Sequence, residues 1–317
     1  MNRKITVIGA GAVGSSIGYL LVAESLASEI VFIDVNKEKA LGEAMDIYQS
    51  TPFLSPAIVR AGDYADAKDS DLVIITSGIA RKPGQSRIDL AQTNVNIIKS
   101  IAPQITAVAP NAIYIIVANP VDVLTYTFHK VTNIPAERII GSGTSLDTAR
   151  LKTRLSEIFK VSPKQVHANV LGEHGDTSFV AWSLARIAGV PIDEYTTAYS
   201  KKEDVADIVL NKDEVTEYVK KSGGVIISRK GATYNGVAAA VVYICKALFT
   251  GIDSILCLSV LMKGEYGIED VCISVPVVLG SNGIVSTLAA KLTDEEVEKL
   301  KISAQAMKDV IAQVNCN

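Results

Sequence analysis

Ile5-Thr6-Val7-Ile8-Gly9-Ala10-Gly11-Ala12-Val13-Gly14 decides the fold of this chain. A short β-branched run ends in a Gly-x-Gly-x-x-Gly turn, and a helical stretch continues from it through Leu21. Strand, glycine turn and helix in this order form the first unit of a dinucleotide-binding sheet. Glycines let backbone N–H groups approach a pyrophosphate at the positive end of the helix. Alone, the pattern discriminates little. Asp34 strengthens it, because it closes the next β-branched run 20 residues past Gly14. A carboxylate there accepts from both ribose hydroxyls and repels a 2′-phosphate, so NAD rather than NADP is the expected cofactor, cradled by Gly9, Gly11 and Gly14.

Outward from this unit, residues 5–8, 30–33, 72–75, 112–117 and 138–140 read as strands separated by helical stretches. Their apolarity is continuous rather than alternating, which implies strands covered on both faces: an α/β lobe with a doubly wound parallel sheet. Ligands collect at the carboxyl ends of such strands, so Thr76-Ser77-Gly78 and Val117-Ala118-Asn119-Pro120 should border the cofactor. The polar segment 79–89, with its Pro83-Gly84 turn, reads as a lid carrying Arg81 and Arg87 onto a substrate.

A chain of 317 residues, 48% hydrophobic and 21% charged, is long enough for a second lobe. The expected boundary places a Rossmann domain at 1–141 and an α+β substrate domain at 142–317. A net charge of −3 with scattered lysines gives no footprint for nucleic acid or an acidic membrane. Cys245, Cys257, Cys272 and Cys316 form no metal-ligand spacing with the three histidines, so they read as reduced core thiols of a cytoplasmic protein and no metal is expected. No secretory signal precedes the first strand. The apolar run 231–251 is interrupted by Asn235 and Lys246, which favours a buried or interface helix over a membrane span. Thr293-Asp294-Glu295-Glu296 is a capping box opening a last helix.

The chemistry lies in the second half. Gly141-Ser142-Gly143-Thr144-Ser145-Leu146-Asp147-Thr148-Ala149-Arg150 enters an amphipathic helix through Phe159, with Asp147 and Arg150 on one face. After a strand-like run at 165–170 comes Val170-Leu171-Gly172-Glu173-His174-Gly175-Asp176, a histidine held in a glycine-flanked turn. Together these residues supply a carboxylate to hold an imidazole, an arginine to clamp an anion and an imidazole to move a proton.

Gly9-x-Gly11-x-x-Gly14, Asn119-Pro120-Val121-Asp122, Asp147-Thr148-Ala149-Arg150, Gly172-Glu173-His174-Gly175-Asp176 and Lys230-Gly231-Ala232-Thr233 together resemble the NAD-dependent L-lactate/malate dehydrogenase family, on its bacterial lactate side. The resemblance runs the length of the chain. It implies that His174 takes the hydroxyl proton, that Asp147 orients it, that Arg150 binds the substrate carboxylate and that Arg87 polarises the C2 oxygen. It places Asn119 and Thr233 at the substrate and Val13 on the phosphate turn. Lys39 and Tyr64 would lie near the adenosine ribose beside Asp34, with Gly78, Ile79, Ser100, Val117 and Asn119 along the dinucleotide and Ser142 by the nicotinamide. His129 receives no role.

The resemblance also implies a homotetramer. Activator-regulated members bind fructose 1,6-bisphosphate through a histidine at the place of His167 and an arginine where this chain has Lys152. Lysine lacks the bidentate fork, so weak or absent activation is expected.

On the far end of the substrate the residues disagree. Arg81, six positions before Arg87, matches the malate pattern and suits oxaloacetate's second carboxylate. Glu173, Thr233 and the Gly141–Thr144 entry match the lactate pattern. L-lactate dehydrogenase is the expected activity, with malate dehydrogenase the alternative, a bulkier 2-oxo acid third, and a non-catalytic NAD-binding protein disfavoured by the presence of His174, Asp147, Arg150 and Arg87 together.

Overall fold

The computed structural model describes residues 3–80, 86–198 and 208–316. The first half alternates strand and helix: β1 (Lys4–Ile8), α1 (Ala12–Ala23), β2 (Glu29–Ile33), α2 (Lys37–Ser50), β3 (Ile58–Ala61), β4 (Leu72–Ile75), α3 (Arg87–Val108), β5 (Ile113–Ile116), α4 (Val121–Val131) and β6 (Ile139–Gly141). Every residue of β4 and β5 is buried, as their unbroken β-branched runs require of strands covered on both faces.

The second half contains α5 (Ser145–Phe159), then the short strands β7 (Val166–His167), β8 (Val170–Leu171), β9 (Phe179–Val180), β10 (Arg186–Ile187) and β11 (Val190–Pro191). After them come α6 (Lys212–Lys230), α7 (Asn235–Phe249), β12 (Ser254–Lys263), β13 (Glu269–Gly280), β14 (Gly283–Thr287) and α8 (Asp294–Gln313).

One nine-stranded sheet, in the order β14-β13-β12-β6-β5-β4-β1-β2-β3, carries both halves. From β6 to β3 the strands are parallel, and the chain winds outward in both directions from the β1/β4 junction. That junction is the topological switch point, where the ends of β1 and β4 open a crevice. Beyond β6 the sheet continues antiparallel, joined where Ser259 of β12 faces Gly141. The parallel sheet is therefore extended by strands from the second half rather than closed at the expected domain boundary.

β3 escapes a reading based on apolar runs. It is the edge strand and only Val59 within it is buried, so its sequence lacks the continuous apolarity of its neighbours. The strand-like run at 165–170 likewise divides into two-residue strands in two small sheets, β11-β10-β7 and β8-β9.

The apolar stretch after Gly231 is α7, which packs Ala238, Val241, Val242, Ile244 and Leu248 inward while Tyr243 stays exposed. No helix among the described residues is long and apolar enough to cross a membrane. The capping box at the start of α8 is complete in both directions: Thr293 Oγ1 accepts the Glu296 N–H, and Glu296 Oε2 accepts the Thr293 N–H. All four cysteines are buried free thiols, and no metal-holding cluster occurs among the described residues.

Candidate active site

The turn after β1 is shaped for close approach. Gly9 has φ +108°, and a Cβ there would stand 2.5 Å from Thr76 Oγ1. A Cβ on Gly14 would stand 1.9 Å from the Gly9 carbonyl, so glycine is the only residue that lets α1 start this near β1. A Cβ on Gly11 would meet nothing within 4 Å, leaving open space in front of the helix. Gly11 is the N-cap of α1 and makes no side-chain cap, and the first turn holds no acidic residue. The first N–H groups of the helix thus face that space without a side-chain partner, as an anionic pyrophosphate requires.

Asp34 follows β2 and ties the turn in place. Its Oδ2 accepts the Ala10 N–H at 2.7 Å and its Oδ1 accepts the Asn36 N–H at 2.8 Å. Each oxygen retains a lone pair for a ribose hydroxyl. Lys39 is exposed in the first turn of α2, its backbone capped by Asn36, and Tyr64 is half-buried against the core. Ser100 is exposed on α3, with its hydroxyl on the Ile97 carbonyl. Gly9, Gly11, Gly14, Asp34, Lys39, Tyr64, Arg87 and Ser100 are absent from the wall of the adjoining cleft.

A cleft of about 460 Å³ runs from this turn to the second half of the chain. Val13, Gly78, Ile79, Val117, Asn119, Ser142, Asp147, Arg150, His174 and Thr233 all line it. Buried Asn94 of α3 staples two of its strand-end loops. Its Oδ1 accepts the Ile79 N–H, while its Nδ2 donates to the carbonyls of Ile79 and Asn119. The Asn119–Pro120 peptide is cis. Arg81 lies outside the described residues.

At the centre, one carboxylate serves two partners. Asp147 Oδ2 lies 2.5 Å from His174 Nδ1, and Asp147 Oδ1 accepts from Arg150 Nη1 at 2.8 Å. The one-face spacing in α5 brings Asp147 and Arg150 together, and β8 delivers His174 to them. Nδ1 is thereby engaged, and Nε2 is the ring nitrogen left for a substrate. Burial opposes charge on both groups. Even so, the imidazole and guanidinium hold Asp147 below its ordinary value, and Asp147, with help from Asp122, lifts His174 above the usual histidine value.

The histidine turn is fixed from four elements. Ser274 of β13 exchanges backbone hydrogen bonds with Gly172, and its hydroxyl accepts the Thr144 N–H. Ser303 of α8 accepts the Glu173 N–H. Glu173 itself turns back onto Thr177, accepting from its N–H and hydroxyl. Asp122 of α4 accepts the His174 N–H, and Ser259 of β12 donates to the same carboxylate. None of Asp122, Ser259, Ser274, Ser303 or Asn94 was given a role from sequence. The available signal was for Asp122 alone, a carboxylate in the apolar helical run Val121-Asp122-Val123-Leu124.

Arg87, the first residue of α3, does not reach His174. Its guanidinium pairs with the Asp176 carboxylate, both largely exposed, while Lys220 of α6 donates to the Asp176 carbonyl. Lys152 lies on α5 beside an apolar hollow, and His167 is exposed on β7 and absent from that hollow.

The chain matches two family models end to end: the lactate/malate dehydrogenase NAD binding domain over residues 3–141 and the lactate/malate dehydrogenase alpha/beta C-terminal domain over residues 144–316. It is 45% identical over 313 residues to L-lactate dehydrogenase 1 of Clostridium acetobutylicum, covering 99% of each chain. It is also 45% identical over 309 residues to L-lactate dehydrogenase of Acetivibrio thermocellus, covering 98% of this chain and 96% of that one. Among solved structures, the minor L-lactate dehydrogenase of Enterococcus mundtii superposes with a TM-score of 0.92 at 35% identity, covering 100% of this chain and 99% of that one.

Proposed function

The chain belongs to the lactate/malate dehydrogenase family, and from that premise we propose that it is an NAD-dependent L-lactate dehydrogenase interconverting pyruvate and L-lactate. The observation that carries this reading is the Asp147 carboxylate shared between His174 and Arg150 on a cleft that Val13 of the glycine turn also lines.

NAD, which the glycine turn and Asp34 would hold, would supply the hydride chemistry at the substrate C2 carbon. In lactate oxidation His174 Nε2 takes the hydroxyl proton, and Asp147 stabilises the imidazolium that forms. Arg150 clamps the substrate carboxylate from the other oxygen of the same aspartate. In pyruvate reduction the imidazolium returns its proton to the C2 oxygen. For Arg87 to polarise that oxygen it must leave Asp176, an exchange made easy by the exposure of the pair. Asn119 and Thr233, on opposite halves of the cleft, border the same substrate.

Pyruvate is favoured over oxaloacetate by Glu173 and Thr233, and Arg81 argues the other way. Steady-state kcat/KM with NADH for the two substrates decides. Preference for oxaloacetate by tenfold, about 1.4 kcal/mol in transition-state binding, overturns the lactate assignment in favour of malate.

A homotetramer is supported by the apolar hollow between α5, α7 and β12. Tyr243 and Ile255, which line it, are 60% and 61% exposed, apolar side chains that a subunit interface would cover. Sedimentation at working concentration tests it, and a monomer refutes it. Lysine at position 152, which lacks the bidentate fork of arginine, supports weak or absent fructose 1,6-bisphosphate activation, which a large drop in pyruvate half-saturation on adding the bisphosphate would overturn. Free buried thiols support a cytoplasmic location.

A further inference from the structure

Asp122 is 2% exposed, yet it is a carboxylate in a helix whose neighbours Val121, Val123 and Leu124 are all core residues. Its two oxygens are each used once. Oδ2 accepts the His174 backbone N–H at 2.8 Å, and Oδ1 accepts the Ser259 hydroxyl at 2.6 Å. Ser259 is itself fully buried, at the point where β12 joins β6.

We propose that Asp122 is a positioning residue for proton exchange: it fixes the backbone beneath the His174 ring, is itself oriented by Ser259, and stands as a second carboxylate facing that ring beside Asp147. The proposal rests on the reading of His174 as the proton exchanger.

Packing alone does not call for a charge here. Asparagine has the same shape, its carbonyl accepts the His174 N–H equally well, and its amide can donate to the Ser259 oxygen. A buried carboxylate is the costly choice, and the strongest influences on it are burial and its hydrogen bonds from Ser259 and His174. What it faces is the imidazole. The imidazole's positive form draws Asp122 toward ionisation, and the Asp122 charge in turn favours a proton on His174.

Two carboxylates on one ring divide the work. Asp147 sets the tautomer through Nδ1, while Asp122 acts from below through the backbone, where it does not compete for either ring nitrogen. The other charged or titratable groups around the pair are Asp147 and Arg150 from α5, Glu173 from the turn itself and Cys272 from β13. Of these, Glu173 opposes the Asp122 charge and Arg150 opposes the imidazolium. Burial pushes the Asp122 carboxyl up to about 6, and its hydrogen bonds from Ser259 and His174 restrain it, so it is ionised at neutral pH.

The test follows NADH oxidation by pyruvate across pH 5 to 9 in the full-length enzyme, comparing wild type with Asp122→Asn and Asp122→Ala. Pyruvate reduction needs the imidazolium, so kcat/KM falls as pH rises through the His174 ionisation. In Asp122→Asn that fall moves to lower pH by about half a unit or more, because one of two facing charges is gone. kcat falls about tenfold with a smaller change in KM, since the altered group binds neither end of the substrate. Asp122→Ala loses more, having lost the backbone contact as well.

A purely structural aspartate gives the opposite result: an Asn variant with a superimposable pH profile and only an altered melting temperature overturns the proposal. Where Asp122→Ala does not fold, the Asn profile decides alone. If the wild-type enzyme turns over no 2-oxo acid at all, the reading of His174 fails first, and the two failures remain distinct.

Discussion

His174 Nδ1 and Asp147 Oδ2 stand 2.5 Å apart, and the second oxygen of the same carboxylate holds Arg150 at 2.8 Å. The proposed substrate clamp and the proposed proton exchanger are therefore located relative to each other by one side chain. Replacing Asp147 with Asn presents an amide that can donate to Nδ1, which fixes the wrong tautomer, and loosens Arg150 as well. kcat/KM for pyruvate should fall about 10²- to 10⁴-fold. Asp147 lifts His174 above the ordinary histidine value, so pyruvate reduction in the wild type persists above that value and is lost as pH rises through the raised one. In Asp147→Asn the falling limb should shift toward acid. An unshifted limb would contradict the pairing as the source of the lift.

Arg87 and Asp176 form a pair in which the side chains are 68% and 71% exposed. Such pairs contribute about 0 to 1 kcal/mol. Arg87→Gln should therefore leave urea-unfolding free energy within that range of wild type while lowering kcat and kcat/KM together, about 100-fold or more, through the lost transition-state contact. A rise in KM with kcat unchanged would instead make Arg87 a simple binding residue.

Asp34 has two tasks that substitution separates. It holds the backbone at Ala10 and Asn36, and in the proposed function its remaining lone pairs receive the ribose hydroxyls. Asp34→Ser removes the negative charge. NADH affinity, read by nucleotide fluorescence, should drop about tenfold, and the preference for NADH over NADPH should narrow. A variant with unchanged discrimination between the two nucleotides would remove Asp34 from the ribose site.

Sequence reasoning reached the parts of this molecule that repeat a local rule. β1, the glycine turn and α1 are contiguous, so their chemistry is written in order, and Asp147 with Arg150 follows from helical spacing. The partners that hold His174 are not contiguous. Asp122, Ser259, Ser274 and Ser303 come from four elements and meet at one turn only through the tertiary packing of those elements. Nothing in a single serine within an apolar strand announces such a meeting. β3 was hidden for a different reason, since an edge strand with one buried residue carries little apolar signal. The open position of Arg87 was equally invisible, because two exposed charges pair by tertiary proximity rather than by spacing.

Asp122 should make the fold less stable as pH rises. Its carboxyl moves from 3.8 to about 6 on folding, so the neutral form is favoured in the folded state. The contribution is present below 3.8 and is lost as pH rises through 6, a change of about 3 kcal/mol. Asp122→Asn lacks this titration. The stability of Asp122→Asn relative to wild type should thus rise between pH 4 and pH 8. A constant offset across that range would show that the carboxyl is not perturbed.

His129 supplies the opposite slope at acid pH. It sits near the end of α4 with its Nε2 buried and without a hydrogen-bond partner. Burial, with Lys263 of β12 and Lys130 of its own helix nearby, pushes the imidazole down to about 4. The ring is thus held neutral where an unfolded histidine would already bind a proton. Because the unfolded chain takes up that proton first, stability is complete above pH 6.5 and falls as pH drops toward 4, by about 3 kcal/mol. His129→Leu removes both the titration and the unpartnered nitrogen. Urea denaturation at pH 7, 5.5 and 4.5 should show the wild type losing midpoint faster than the variant below pH 6.5, at equal slope. Parallel losses in the two proteins would place acid sensitivity elsewhere, and a variant less stable by the same amount at every pH would make His129 a packing residue alone.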